Sequence, residues 1–439
     1  MKKILKSLVI CLFICALSLS LFACGGSRDP GETNWDFSGF DAETEGSLKF
    51  AVPDGDDEEE IALQMIAEFN KKFPKVKIEV ERITGSYSES LLGSIFTEGM
   101  ADVFYLTDED VKFFAHKNVA CDISVPFSSY DEIDEDFNED NIVKSMLDIG
   151  RYKNGLYMIP RDYNKIVVAY NKTLFKNYNI TPPTDDWTWE DFVDTCEALR
   201  AKMPASMYPS DLNMYWLPVY NALINGFGGS IDISANGTAD LSSEGCIKAL
   251  QEMRDLVKNK YSVNPATTTL DTFKAGMSAM YVISRPYCMS IIGSSLDVDY
   301  VSFPELPEKA VVGTGCSGYG VYKNSKNKEL AFLFLMSIIS EETQEVFGQT
   351  GASVPVLNTL HDEGIWREIP STDINHDAFV KFPERDLVAT HMDNLNPELS
   401  TDIEGFLLTL IKNAVNTSDD LTEIAEEQEK KIKKAVENY

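Results

Sequence analysis

The sequence predicts an α/β protein in two lobes, and three observations carry that reading. Strand-like and helix-like segments alternate at close spacing from Ser47 onward. Asp102-Val103-Phe104-Tyr105-Leu106 is a near-continuous apolar strand of the kind buried in parallel sheets. Roughly 390 residues run from Ser47 to the end of the sequence, more than one ordinary core organises.

In order along the chain, Ser47 to Val52 alternates as a short strand. Glu59 to Phe73 then places Ile61, Met65, Ile66, Phe69 and Phe73 on one helical face, and Pro74 stops it. Lys77 to Glu81 alternates as the next strand, which completes a βαβ unit. A helix around Ser88 to Glu98 leads into the strand at 102–106. Between Gly155 and Asn171 two strand-like runs flank a polar segment, which suits a crossing between lobes. In Trp187-Thr188-Trp189-Glu190-Asp191-Phe192, Thr188 is an N-cap with Asp191 three positions later, close to a capping box. Helices follow at Glu244 to Lys258, Lys328 to Ser340 and Leu421 to Val436. No period of 20 to 50 residues appears, so a repeat architecture is excluded.

The N-terminus has the layout of a bacterial secretion signal: Lys2, Lys3 and Lys6, an apolar run from Leu8 to Leu17, then Leu21-Phe22-Ala23-Cys24-Gly25-Gly26. The small residue before Cys24 makes it a lipoprotein signal. Residues 1–23 are expected to be removed, Cys24 to be lipidated and to anchor the chain outside the cell membrane, and residues 24–46 to form a poorly ordered tether. The apolar run is too short, and too interrupted by Ser18 and Ser20, for a membrane span.

A net charge of −31 repels nucleic acid phosphates and excludes them as partners. Beyond the leader, Cys121, Cys196, Cys246, Cys288 and Cys316 are odd in number and widely spaced, which reads as buried free thiols rather than a disulfide framework. His116, His361, His376 and His391 show no HExxH or HxxxH spacing, so no metal site and no cofactor are expected.

At this point the order of segments resembles the extracellular solute-binding proteins of carbohydrate ABC importers, the maltose-binding-protein-like group. The resemblance runs over nearly the whole mature chain. It rests on Ile66-Ala67-Glu68-Phe69 with Phe73-Pro74; Gly99-Met100-Ala101-Asp102-Val103; Gly155-Leu156-Tyr157-Met158-Ile159-Pro160; Ala169-Tyr170-Asn171-Lys172; and Trp187 to Phe192. It continues through Phe273 to Met280, Phe303 to Pro307, Asn327 to Phe332 and Gly351 to Pro355. Each fragment is weak alone, but nine in one order are specific.

The resemblance implies a type II periplasmic-binding-protein fold with hinge strands and a ligand cleft. Lobe 1 would span 47–160 plus 305–357, and lobe 2 would span 161–304 plus 358–439. It further implies a monomer without enzymatic activity that closes on a small solute, a mono- or oligosaccharide, and is recognised closed by an ABC permease in the membrane.

Sugars present apolar C–H faces and many hydroxyls, so a suitable cleft needs aromatic planes and fixed polar groups. Asp54 follows the first strand, where the family puts a contact; a solvated turn carboxylate is the plainer reading. Arg161, Asp162, Tyr163 and Asn164 follow the Gly155-Leu156-Tyr157-Met158-Ile159-Pro160 segment that carries part of the resemblance, with an interlobe salt bridge as the rival. Tyr215 and Trp216 stand where relatives place an aromatic platform. Tyr287 replaces a stacking Trp, and Arg285 beside it departs from the family and suits an acidic sugar or a partner aspartate. Ser317 and Tyr319 lie where the first lobe re-enters.

The Gly313-Thr314-Gly315-Cys316-Ser317-Gly318 run also matches GxGxxG, yet Tyr319-Gly320-Val321-Tyr322 reads as strand and removes the helix N-terminus a dinucleotide needs. The competing classes are a secreted glycoside hydrolase, which would need two carboxylates at a set separation, and a surface sensor or adhesin on the same fold.

Overall fold

The computed structural model describes residues 35–95, 99–268, 270–291 and 294–439. Residues 1–23 and Cys24 lie outside the described residues. Among the described residues no helix is long and apolar enough to cross a membrane.

Strand β1 (Gly46–Pro53) feeds helix α1 (Asp56–Lys72), which ends before Pro74 where the next backbone N–H is missing. Then come β2 (Val76–Ile83), α2 (Tyr87–Ser94), β3 (Val103–Thr107), α3 (Asp110–His116) and the short β4 (Ile159–Pro160) and β5 (Asn164–Lys165). The chain continues through β6 (Val167–Asn171), α4 (Trp189–Arg200), β7 (Tyr208–Asp211), α5 (Leu217–Gly226), α6 (Glu244–Lys258), β8 (Ser278–Ile283) and β9 (Val298–Ser302). It finishes with β10 (Val312–Gly315), β11 (Ser317–Val321), α7 (Lys328–Ser337), α8 (Glu341–Gln349), β12 (Asp386–Leu387), α9 (Ser400–Asn416) and α10 (Leu421–Asn438). The capping box is complete at α4: Thr188 Oγ1 accepts from Asp191 N–H while the Asp191 carboxylate accepts from Thr188 N–H.

Three sheets organise these elements. The first has order β2-β1-β3-β11-β4, with β1 parallel to β2 and β3, and β11 antiparallel to both β3 and β4. The second has order β9-β6-β8-β7. Between them lies a three-stranded sheet, β12-β10-β5, in which Thr314 faces Lys165 and Val312 faces Asp386. Each of its strands joins a segment of one lobe to a segment of the other, so it forms the hinge. A buried ion pair fixes it: Lys165 Nζ lies 2.8 Å from Asp386, both side chains are 5% exposed or less, and the Tyr163 hydroxyl donates to the same carboxylate.

Two hydrophobic cores flank the hinge. The first gathers Leu48, Phe50, Val103, Phe104, Met146, Tyr319 and α7, and the second gathers Phe192, Leu223, Met253, Met280, Leu410 and Ile432. Leu306 and Val312 pack in the second core, whereas Leu360, Trp366, Ala378 and Phe379, expected in the second lobe, pack in the first. The reason is that Val167, Ile283 and Tyr300 turn the far face of the second sheet toward the first core, and residues 366–379 fill that junction.

The tether also differs from expectation within its described part. Trp35 and Phe37 pack on Phe332, with ring centroids 5.6 and 5.5 Å away, and Lys328 lies over Trp35. Apolar rings this close to an unfilled face of α7 gain more by burial than a free tether keeps in entropy. The five described cysteines are all free and buried, as the odd count indicates.

Arg285 ties the two halves at the junction. It is 0% exposed. Its Nε donates to Gly351 O just beyond α8 at 2.9 Å, and Nη2 donates to Trp366 O at 2.8 Å and to Ile369 O. The guanidinium also stacks against the Trp366 and Phe379 rings. Replacing it strips partners from three buried carbonyls and leaves a void. Arg285→Ala is therefore expected to lower unfolding free energy by about 3 kcal/mol or more, measured by urea denaturation, where a loss below about 1 kcal/mol contradicts this role.

Candidate functional site

A cleft runs between the lobes on the concave side of the hinge, as two cavities that share a wall. The smaller, of about 310 Å³, is lined from the first lobe by Glu58, Tyr105, Arg161 and Ser317, from the hinge by Asn164 and Thr314, and from the second lobe by Trp216 and Asn221. The larger, of about 630 Å³, is lined by Tyr152, His391 and Glu404 among others. Asp108, Glu109, Leu217, Leu387 and Ala389 line both. A third cavity of about 780 Å³ sits on the outer side of the first lobe against Phe40, Phe73 and Phe137, away from the hinge.

Local sequence explains the placement. Asp108 and Glu109 follow β3 and so stand at the carboxyl end of a parallel strand, where α/β sheets bind ligands. Asp108 is pressed on the hinge: a Cβ at Gly315 would lie 2.6 Å from its Oδ2. Trp216 is the N-cap residue of α5, and the first turn of that helix meets β10 so closely that a Cβ at Gly313 would stand 2.2 Å from Pro218 O. Glycine there sets the distance between Trp216 and the hinge.

Arg161 is held by acidic and aromatic neighbours. Its Nη1 donates to Glu58 at 2.7 Å and to the Tyr319 oxygen at 3.0 Å, and Nη2 lies 3.2 Å from Asp162. Tyr105 and Tyr319 present their rings to the guanidinium. Burial opposes its charge, but Tyr319, Glu58 and Asp162 outweigh that and hold it firmly protonated. Asp162 accepts in addition from Ser317 N–H and Oγ–H, both at 2.8 Å, and from Asn164 Nδ2 at 3.0 Å. Arg161 thus has no charge left over for an anionic ligand.

The acidic wall is the converse. Burial, then the Asp162 and Glu404 charges, push Asp108 up to about 6 against two backbone N–H bonds that lower it. Burial, then Glu404 and Asp108, push Glu109 up to about 7, although its side chain reaches solvent in the cleft. Glu404 is raised by burial as well.

The residues singled out from sequence divide clearly. Arg161, Asn164, Trp216 and Ser317 line the cleft. Tyr319 is fully buried and stands behind Arg161. Tyr163 belongs to the hinge, hydrogen-bonded to Asp386 and stacked on His361. Asp54 pairs with Arg82 on the first lobe at 2.6 Å and lies outside the cavity lining. Tyr215 accepts from Asn416 Nδ2 and lies outside the cavity lining, as does Tyr287, which donates to Asp271 at 2.6 Å. Arg285 is spent on backbone carbonyls at the junction and lies outside the cavity lining.

Residues not anticipated are Glu58, Tyr105, Asp108, Glu109, Asn221, Thr314, His391 and Glu404. Asp108-Glu109 directly after an apolar strand carried the signal; Glu404 and His391 reach the cleft from the last third of the chain with no local pattern to mark them.

Among comparisons with known proteins, a family model described as bacterial extracellular solute-binding protein matches residues 64–370. The arabinooligosaccharide-binding protein of Bacillus subtilis is 22% identical over 262 residues, 58% of this chain, and the match spans 56% of that protein. The diacetylchitobiose-binding protein of Streptomyces coelicolor is 22% identical over 372 residues, 81% of this chain and 83% of the relative. The solved ABC substrate-binding protein from Listeria monocytogenes in complex with cycloalternan has a TM-score of 0.75 at 20% identity, over 89% of this chain and 99% of that one. UgpB from Mycobacterium tuberculosis in complex with glycerophosphocholine has a TM-score of 0.75 at 16% identity, over 90% and 99%. At these identities the structures establish the two-lobe fold.

Two measurements follow from the geometry. Asp162→Ala leaves Arg161 short of a buried partner and Ser317 unpaired, with an expected loss of about 3–5 kcal/mol in chemical denaturation. Because Asp108 is raised from 3.8 to about 6, the folded state holds its proton more tightly than the unfolded chain does. Stability from this group is full below pH 4 and declines as pH rises to about 6, after which the buried charge costs a constant amount. Asp108→Asn is expected to match the parent at pH 4 and to exceed it by about 1 kcal/mol at pH 8, after allowance for solvent in the cleft.

Proposed function

From the premise that this chain belongs to the bacterial extracellular solute-binding proteins, we propose that it captures a short oligosaccharide between its lobes and delivers it to the permease of an ABC importer. The observation that carries this reading is the pair of joined cavities, about 310 and 630 Å³, walled by both lobes and by the hinge itself. Their combined reach exceeds one sugar ring and falls in the range of organic ligand sites. Trp216 and Tyr105 offer aromatic faces, while Asp108, Glu109, Asn221 and Ser317 offer hydrogen-bonding groups for hydroxyls. The neutralised Arg161 and the buried Arg285 speak against the acidic sugars that two arginines in the sequence suggested. The relatives' arabinooligosaccharide and diacetylchitobiose ligands are of the same class.

In this reading the ligand touches both lobes and so stabilises the closed form by its differential contacts, the form a permease recognises. The chain binds without turnover, acts as a monomer, and is held at the outer face of the cell membrane through lipidated Cys24, with the Trp35–Phe332 contact marking where the anchor segment meets the first lobe.

Thermal unfolding of the purified chain against neutral oligosaccharides, uronic acids and sugar phosphates tests this. A non-acidic oligosaccharide at 100 times its dissociation constant is expected to add about 2.7 kcal/mol of stability, and Trp216→Ala to weaken its binding by about tenfold to a hundredfold. Release of reducing sugar would identify a hydrolase instead. A response confined to uronic acids or phosphates would overturn the assignment to a non-acidic oligosaccharide.

A further inference from the structure

We infer that the captured solute carries a cationic amine, taken up jointly by Asp108 and Glu109 of the first lobe and Glu404 of the second where the two cavities share a wall. This rests on the carbohydrate-capture reading and narrows it to amine-bearing sugars or their close analogues.

The charges around that wall are unevenly spent. Arg161 is neutralised by Glu58 and Asp162, Lys165 by Asp386, and Lys112, one turn along α3, by Asp393. Of the remaining cations lining the larger cavity, Arg151 pairs with Glu139 and Asp148, and Lys153 is exposed over the Tyr152 ring. Asp108, Glu109 and Glu404 have no cation of their own beyond a 3.9 Å approach of His391 to Glu404. That imidazole is held neutral, pushed down to about 4 by burial and then by Lys112. Their hydrogen bonds are local: Asp108 accepts from Glu109 N–H, and Glu404 accepts from Ser400 Oγ.

Independently of charge, three side chains lining the same cavities hold buried polar atoms without a partner among the described residues: Asn164 Oδ1, Thr314 Oγ1 and the ring nitrogens of His391. Thr314 is 4% exposed and its Oγ1 has no hydrogen bond, and His391 is 4% exposed with neither ring nitrogen hydrogen-bonded. Thr314 lines the smaller cavity and His391 the larger. Buried polar atoms without partners are costly, so all three ask for a ligand that spans the shared wall and brings donors to each end.

A bare metal ion does not meet this need, because no three His, Cys, Asp or Glu side chains among the described residues converge on one point. An ammonium needs no coordination sphere: carboxylates about 4 Å away still attract it in addition to those it touches, and its carbon skeleton would lie against Trp216 and Tyr105, where a cation gains further from the ring faces. The arrangement also couples binding to closure. Asp108 and Glu109 repel Glu404 across the cleft, which resists closing of the empty protein. A cation placed between them reverses that sign and is bound only when both lobes contribute.

The test is calorimetric titration of the purified full-length chain at pH 7.5 with glucosamine trimer, its N-acetylated counterpart, maltotriose and spermidine. The expected result is binding of glucosamine trimer at least about tenfold tighter than the acetylated trimer, with spermidine weaker than both. The combined Glu109→Gln and Glu404→Gln variant, checked for folding by its unfolding curve, should reduce that preference about tenfold. Equal or tighter binding of the acetylated trimer overturns the inference while leaving carbohydrate capture intact. Spermidine binding as tightly as glucosamine trimer overturns it too, by marking bare attraction to an acidic surface. Failure of all three sugars, and of every oligosaccharide in the thermal panel, overturns the carbohydrate reading beneath it.

Discussion

The Asp162 carboxylate accepts from Ser317 N–H and Oγ–H, from Asn164 and from Arg161, and in doing so joins the outgoing hinge strand to the strand that re-enters the first lobe. Removing it would unpair a backbone N–H and a hydroxyl and take one of two carboxylates from the Arg161 guanidinium, all nearly or fully buried. The Asp162 carboxylate, the Ser317 N–H and hydroxyl and the Arg161 guanidinium are all paired within this knot, and only the Asn164 Oδ1 has no partner among the described residues. It also fixes where β10 runs, and through the close approach of Gly313 to α5 it fixes the position of Trp216.

The same knot decides the electrostatics of the cleft. With Glu58 and Asp162 on Arg161, the one guanidinium that lines the smaller cavity is consumed inside the protein. What faces the solute is then a set of acceptors on an acidic wall, with aromatic faces to either side. A fold shared with proteins of other ligands cannot specify this; the pairing of Arg161 does.

Much of the fold was legible locally. The amphipathic face from Ile61 to Phe73, the Thr188 cap and the apolar run at β3 each depend on neighbours a few residues away, and each forms where the pattern indicates. Which core residues 366–379 join was not legible, since they pack in the first only where the second sheet turns its far face there. The site was legible in part. Arg161, Asn164, Trp216 and Ser317 follow motifs tied to strand ends and crossings. Arg285 and Tyr163 look the same in sequence, yet Arg285 meets Gly351 and Trp366, and Tyr163 meets Asp386, partners 66 to 223 positions away. Glu404 and His391 are the mirror case, ordinary helix and loop residues until the last third of the chain folds back over the cleft.

The central claim is that solute binds in the interlobe cleft and closes the hinge, and small-angle X-ray scattering of the purified chain tests it most directly. The account predicts that saturating with an oligosaccharide that stabilises the protein reduces the radius of gyration, and that Trp216→Ala abolishes the change at the same concentration. Tight binding with an unchanged radius of gyration would contradict it, and would place the solute somewhere other than between the lobes.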